Sequence, residues 1–350
     1  NIMKINGRKI GNDYPPYIIA EMSANHNGDI EKAKNIILSA FQAGADAVKL
    51  QTYKPDTITL NATSDEFMID DGGLWHGRSL FNLYEEAHMP WDWHKPLFDY
   101  SKDIGLTIFS SPFDKTAVDL LEDLNAPAYK IASFEITDLR LIEYVASTKK
   151  PMIISTGMAN KDEISEALEA ARKGGCNNIA LLHCVSSYPA NPSDYNLKTI
   201  ADIESSFKVK VGISDHTIEN TTALMSIAFG GCIIEKHFTL DRAGGGPDDS
   251  FSLEPLELKT LCRDAKIAWE AIGKVDYSLK KAEMSNIKFR RSLYFINDLK
   301  KGTKIRESDV ASVRPGYGIP PKYFDSIIGK EVSKDIFKNT AVKFSDIREL

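Results

Sequence analysis

Two histidines stand just past apolar runs in the second half of the chain. Residues 209–213 lead into Ser214-Asp215-His216-Thr217, and residues 232–234 lead into Glu235-Lys236-His237-Phe238-Thr239. Two imidazoles leaving neighbouring strands at one height could share a divalent metal ion. The carboxylates Glu21, Glu135 and Asp215 would stand nearby. Imidazole plus oxygen ligands suits Mn, Fe, Co or Zn better than Mg alone. A second group is cationic and hydroxylic: Lys49, Lys130, Ser111, Ser133 and Ser155. Such a set pairs well with a phosphate. Each group also has a plainer reading. A strand-end His can be a satisfied polar group or a general acid/base. A lysine in such a place could form a Schiff base. A serine after a strand often caps the next helix.

These residues need a scaffold that gathers them. Apolar, strand-like runs occur at 17–21, 47–51, 107–111, 128–133, 152–156, 179–185, 209–213 and 232–236. Amphipathic helical patterns separate many of them, at 29–43, 115–124, 138–148, 161–173 and 219–229, and another follows at 255–272. This is the α/β arithmetic of a (β/α)8 TIM-type barrel. No GxGxxG follows the first run, which argues against a doubly wound dinucleotide-binding sheet. In a barrel the C-terminal ends of all strands face one mouth. The polar strand ends then form one site: Glu21 and Asn25, Lys49 and Gln51, Ser111, Lys130, Ser133 and Glu135, Ser155, Ser186 and Tyr188, Ser214 to His216, and Glu235 with His237.

One interval breaks the rhythm. Between the second and third runs lie about fifty-five residues, rich in aromatics: Trp75, Phe81, Tyr84, Trp91 and Trp93. A long loop on a barrel shapes the substrate pocket. The other expectation for Trp93 is simple packing on the barrel.

Composition is that of a globular protein, with 43% hydrophobic and 26% charged residues. No apolar run reaches the length of a membrane span, and no basic-then-apolar leader opens the chain, so a cytoplasmic protein is expected. The four cysteines lack CxxC spacing and read as reduced thiols. Net charge is −6, unevenly spread. Residues 290–350 hold thirteen Lys and Arg against eight Asp and Glu, so this piece is +5 and the rest −11. An acidic body with a mildly basic C-terminal piece argues against nucleic-acid binding by the whole chain. The expected organisation is a barrel over 1–275, a polar linker over 276–291 and a small domain over 292–350. That last piece is short for a core of its own and should lean on the barrel or a second subunit. A strand is expected there at 292–297, a turn and strand at 299–305, a Gly/Pro loop at 314–319 and a short strand at 328–332.

Several blocks together resemble one family. They are Ala20–Gly28, Val48–Thr52, Tyr129–Ser133, Ser155–Met158, His183-Cys184, Ser214–Thr217, Glu235–Thr239 and Gly246–Asp248. In this order they resemble the sialic acid (nonulosonate) synthases, which condense phosphoenolpyruvate with an acylamino sugar. The C-terminal piece is similar to their antifreeze-like (SAF) domain. The segment Leu74–Ala87, followed by Pro90–His94, is similar to the pseudaminic acid branch rather than the N-acetylneuraminate or legionaminate branches. The resemblance implies His216 and His237 as ligands of a divalent metal, Mn2+ above Mg2+ or Co2+. It implies Lys49, Lys130, Ser133, Ser155 and Ser214 as the phosphoenolpyruvate pocket, with Ser111 where a Thr is common and Ser186 where an Asn is common. Glu21, Glu135, Tyr188 and Asp248 would surround the sugar and the attacking water. Arg314 would reach the partner's site in a domain-swapped homodimer. The rivals are a Schiff-base aldolase using Lys130 and a non-catalytic sugar-binding or ice-binding protein.

Overall fold

The computed structural model describes residues 2–349. It divides into two compact units, with the boundary between Gly273 and Lys274.

The first unit is a closed parallel barrel. A hairpin comes first, from β1 (Met3–Ile5) and β2 (Arg8–Ile10). The staves follow: β3 (Tyr17–Glu21), β4 (Ala47–Thr52), β5 (Thr107–Pro112), β6 (Tyr129–Ile131), β7 (Met152–Ser155), β8 (Ile179–Cys184), β9 (Lys210–Asp215) and β10 (Ile233–His237). Their order around the barrel is the order of the chain, and β10 closes on β3. All eight expected strands are present. The reason is that they are nearly continuous apolar runs, which suits strands covered on both faces.

The two faces of the staves feed two separate cores. Met3, Ile5 and Ile10 of the hairpin pack with Tyr17, Ile19, Ala47, Phe109, Ala128, Ile153, Ala180, Leu182 and Ile233. The hairpin therefore plugs the barrel at the beginning of the strands, so the polar ends face the remaining opening. The opposite faces pack under the helices, for example Ile30–Ala43, whose Ala33, Ile36, Ile37 and Ala40 are buried. Each of the two isoleucines contributes roughly 1.5–3 kcal/mol by leaving water, and the alanines less.

The long β4–β5 connection is the insertion. It carries short helices at Pro55–Ile58 and Leu80–Ala87 and 3-10 turns at Asp65–Phe67 and Trp91–Trp93, before the helix His94–Ile104. Trp93 packs against the barrel core and meets His26 edge to face at 5.3 Å, so the packing expectation describes it.

The second unit holds a three-stranded antiparallel sheet, β12 (Val310–Val313), β11 (Ser292–Phe295) and β13 (Thr340–Ala341). Its core joins Leu293, Phe295, Leu299, Ile305, Val310, Ile319, Ile327, Val332, Ile336, Val342 and Ile347. Two expected strands are absent among the described residues. Residues 299–305 and 328–332 make only isolated bridges, such as Leu299 with Ile336 and Lys304 with Glu331. Gly302 and Gly329 both have φ of +84°: the first makes the turn expected within 299–305, and the second breaks the extended run at 328–332. Residues read as a linker include a 3-10 stretch, Lys281–Phe289, whose side chains are all exposed.

Candidate active site

Strand parity decides what faces the barrel mouth. Side chains two apart on a strand share a face. Lys49 and Gln51, Ser214 and His216, and Glu235 and His237 form such pairs, and all six line one cavity of about 430 Å³. Register sets their heights. Glu21 lies level with both Lys49 and His237, and Ser214 lies level with Glu235. The approach of β9 to β10 is unusually close. A Cβ at Gly212 would collide with the carbonyl oxygen of Ile233. Glycine there lets the strands bearing the two histidines come together.

The floor is an interlocked set of charges. Lys49 Nζ lies 3.2 Å from Glu21 Oε2 and 3.0 Å from Glu235 Oε1. Lys130 Nζ donates to Glu235 Oε2 at 3.1 Å, and Ser214 Oγ donates to the same oxygen at 3.1 Å. Gln51 Nε2 donates to Glu21 Oε1 at 2.9 Å. All four charged groups are nearly fully buried. Burial alone would raise the pKa of Glu235, but Lys130 and Lys49 outweigh it and hold the carboxyl well below its usual range. Burial would lower Lys49, and Glu21 with Glu235 reverses this and raises it. Burial draws Lys130 below the usual lysine value against the pull of Glu235. Burial pushes Glu21 up to about 7 although Lys49 opposes it. The two lysines expected to meet a phosphate are thus held in place by Glu21 and Glu235, and Glu235 is the hub.

From sequence, Glu235 is placed at the barrel mouth with His237 but is given no role of its own. A signal was available: Glu-x-His at a strand end puts both side chains on one face.

The two imidazoles face the same cavity. Their ring centroids are 5.5 Å apart, edge to face. His216 Nδ1 meets the carbonyl of Val185 at 2.7 Å, so it carries the proton and Nε2 keeps a lone pair. His237 Nδ1 is buried without a hydrogen-bond partner. Burial pushes His216 down to about 4 and His237 well below the usual histidine value. Both are therefore neutral near pH 7, as metal ligands must be. No group of three or more His, Cys, Asp or Glu side chains placed for a metal occurs among the described residues. Two neutral imidazoles lining one cavity fit a divalent ion, which would need further ligands from outside this pair. Tyr188 covers the pair, its ring 4.2 Å from His216 and 5.7 Å from His237.

Other expected residues fall into place unevenly. Ser133, Ser155, Glu135 and Asp248 line the cavity. Ser155 Oγ and Glu135 Oε2 are buried without a partner, and burial, aided by Asp138, raises Glu135 to about 7. Ser186 does not line it, but its Oγ lies 3.0 Å from that of Ser133. Ser111 is fully buried behind the lining with an unpartnered hydroxyl. Asn25 Nδ2 is turned away to Phe238 O and Ser252 Oγ. Asp215 points to the outer side of β9 and binds Lys236 and Thr217. Arg314 is exposed in the C-terminal unit.

A wall faces this floor. Ile58, Trp75, Leu83 and Tyr84 of the insertion line the cavity with Tyr53 and Phe113. Tyr53 meets Tyr84 at 5.6 Å and Phe113 at 5.2 Å, both edge to face.

Comparison with known proteins gives one answer. The NeuB family profile matches residues 36–277, and the SAF domain profile matches residues 290–348. A pseudaminic acid synthase of Campylobacter jejuni subsp. jejuni is 41% identical over 343 residues, spanning 97% of this chain and 100% of that one. An N,N'-diacetyllegionaminic acid synthase of that organism is 38% identical over 330 residues, spanning 93% and 98%. The crystal structure of N-acetylneuraminic acid (sialic acid) synthetase from Leptospira borgpetersenii, in complex with citrate, superposes with a TM-score of 0.73. It is 31% identical and covers 83% of this chain and 96% of its own.

Proposed function

The chain belongs to the NeuB family and carries an SAF domain, and from that premise we propose that it is a pseudaminic acid synthase. It condenses phosphoenolpyruvate with 2,4-diacetamido-2,4,6-trideoxy-L-altrose and water to give pseudaminic acid and phosphate. The observation that carries this reading is one cavity in which a two-lysine floor adjoins two neutral imidazoles.

Lys49 and Lys130 receive the phosphate of phosphoenolpyruvate, and Ser133, Ser155 and Ser214 donate hydrogen bonds to its oxygens. Ser111 and Ser186 support that pocket from behind its lining. His216 and His237 would hold a divalent cation, Mn2+ in our reading, which when bound supplies Lewis-acid polarisation of the aldehyde oxygen of the open-chain sugar. C3 of phosphoenolpyruvate attacks the aldehyde carbon. The new C–C bond forms, the aldehyde oxygen takes the electron pair and then a proton, and positive charge develops at C2. Glu21 orients a water and accepts its proton as the oxygen adds at C2. The bond from C2 to the phosphate oxygen then breaks, and phosphate departs onto the two lysines. Glu135, Tyr188, Asp248 and Gln51 surround the sugar, and Asn25 braces the loop behind them. The apolar wall suits the methyl groups of the two acetamido substituents and of the deoxy C6.

A Schiff-base aldolase needs a free, neutral lysine. Lys130 is instead bonded to Glu235, which holds a proton on the nitrogen against the burial that draws it off and so counts against a free nucleophile. Phosphate release, measured side by side with altrose-type, mannose-type and neuraminate-precursor sugars, tests the assignment. Fastest turnover of the altrose-type sugar is expected. Faster turnover of either other sugar contradicts it.

The active species in this reading is a homodimer, in which Arg314 enters the second subunit's site and holds the sugar's acylamino group. Mixing an Arg314→Ala chain with a Lys49→Met chain should restore activity that neither has alone. Absence of restoration under conditions of subunit exchange counts against a role in trans.

A further inference from the structure

The same strand parity that turns Ser214, His216, Glu235 and His237 into the cavity turns Asp215 and Lys236 out of it. These two lie opposite each other in the β9–β10 register and are both nearly fully buried. Lys236 Nζ is 2.9 Å from Asp215 Oδ2, 2.8 Å from the carbonyl of Thr217 and 2.8 Å from that of Glu219. An ammonium has three protons, and all three are used. The other Asp215 oxygen accepts from the amide of Thr217 at 2.9 Å and from its hydroxyl at 2.7 Å.

The loop after β9 is therefore wound around a single cation that grows from β10. His216 is the residue inside that winding. Its amide donates to Tyr195 Oη at 2.8 Å, and its ring is fixed by Val185 at 2.7 Å. His237 follows Lys236 directly. A buried ammonium is costly unless fully partnered, and an apolar residue of similar size would fill the space without that cost. The charged arrangement does something packing alone would not: it ties the backbone height of His216 to the strand that carries His237.

We infer that Lys236 and Asp215 are positioning residues that hold the two imidazoles in register for a shared divalent cation. This rests on the metal reading above, and it assigns Asp215 a place behind the site. Lysine suits the task because three acceptors converge on one nitrogen, which the planar fork of arginine does not match.

The test uses the full chain stripped of metal. Mn2+ affinity is read from the electron paramagnetic resonance signal of the free ion, alongside phosphoenolpyruvate affinity and thermal stability. Lys236→Met should weaken Mn2+ binding at least ten-fold and leave phosphoenolpyruvate binding within two-fold. The double variant Lys236→Met/Asp215→Asn removes the uncompensated charge. It should recover thermal stability yet keep the weakened Mn2+ affinity, a split that a merely structural pair would not produce. If Lys236→Met alone does not fold, the double variant carries the test. Mn2+ affinity within two-fold of the unsubstituted chain in the double variant overturns the positioning role. No Mn2+ binding by the unsubstituted chain overturns the metal site, and this inference with it.

Discussion

The floor and the wall of the cavity are built by opposite means. The floor stands on strand ends, and its groups hold one another: Lys49, Lys130, Glu21, Glu235 and Ser214 form one bonded set. The wall hangs on an irregular connection and is largely apolar. The floor is fixed by register and buried ion pairs, which leave little freedom once the barrel closes. The wall is anchored by side chains from an irregular path, among them Met89 in the barrel core and Trp93 against it. Another is His94, whose ring bridges Thr52 Oγ1 at 2.9 Å and the carbonyl of Trp91 at 3.1 Å, while Thr52 bonds Ser110 at 2.6 Å. The contrast suggests a division of labour, with the reaction carried by the rigid floor and sugar choice by the replaceable wall.

The largest expected effect breaks the floor. Lys49→Met leaves Glu21 and Glu235 facing each other in a buried site. A preorganised group facing developing charge is worth about 2.7–4 kcal/mol in the transition state, so kcat/KM should fall roughly 10²–10³-fold. A phosphate-release assay reads this directly, and a loss below ten-fold would show that the floor is not the reacting half.

A smaller effect tests how the wall is held. Burial pushes His94 down to about 4, against 6.5 when unfolded. The native state keeps the ring neutral, so stability is full above pH 6.5 and is lost as pH falls towards 4, when the unfolded chain takes the proton. The loss from this residue approaches about 3 kcal/mol. Thermal melts from pH 7.5 to 4.5 should show a shallower acid decline in His94→Asn than in the parent chain. Equal slopes would remove His94 as the acid-sensitive joint.

The smallest effect concerns sugar choice. Leu83→Ala should raise KM for the sugar about ten-fold, as expected for lost apolar contact, and leave KM for phosphoenolpyruvate unchanged. A matching rise in both constants would erase the distinction between wall and floor.

The same contrast explains what could be read in the sequence. The eight staves were legible because each is an apolar run, and their ends were legible because each run finishes in a polar residue. Parity would have gone further. With Ser214 and His216 facing the mouth, Asp215 must face away, and Glu235 must share the face of His237. The wall had no such period. Trp75 was a fair guess among many aromatics, but Ile58, Leu83 and Phe113 carry no local signal, because a tertiary path brings them to the cavity. In the C-terminal unit the turn within 299–305 was legible, but the strand read after it and the one at 328–332 are reduced to isolated bridges, the latter broken by positive φ at Gly329. The pairing of Lys49 and Lys130 with Glu235 was also hidden, since it depends on register between strands far apart in the chain.

The central claim is that this site joins phosphoenolpyruvate to an aldehyde and expels phosphate by breaking the bond between C2 and oxygen. Phosphoenolpyruvate labelled with heavy oxygen at the C2–O–P bridge tests it in one turnover. The account predicts that all the label leaves in inorganic phosphate and none stays in the sugar acid. Label retained in the sugar acid would mean cleavage between phosphorus and oxygen and would contradict the account.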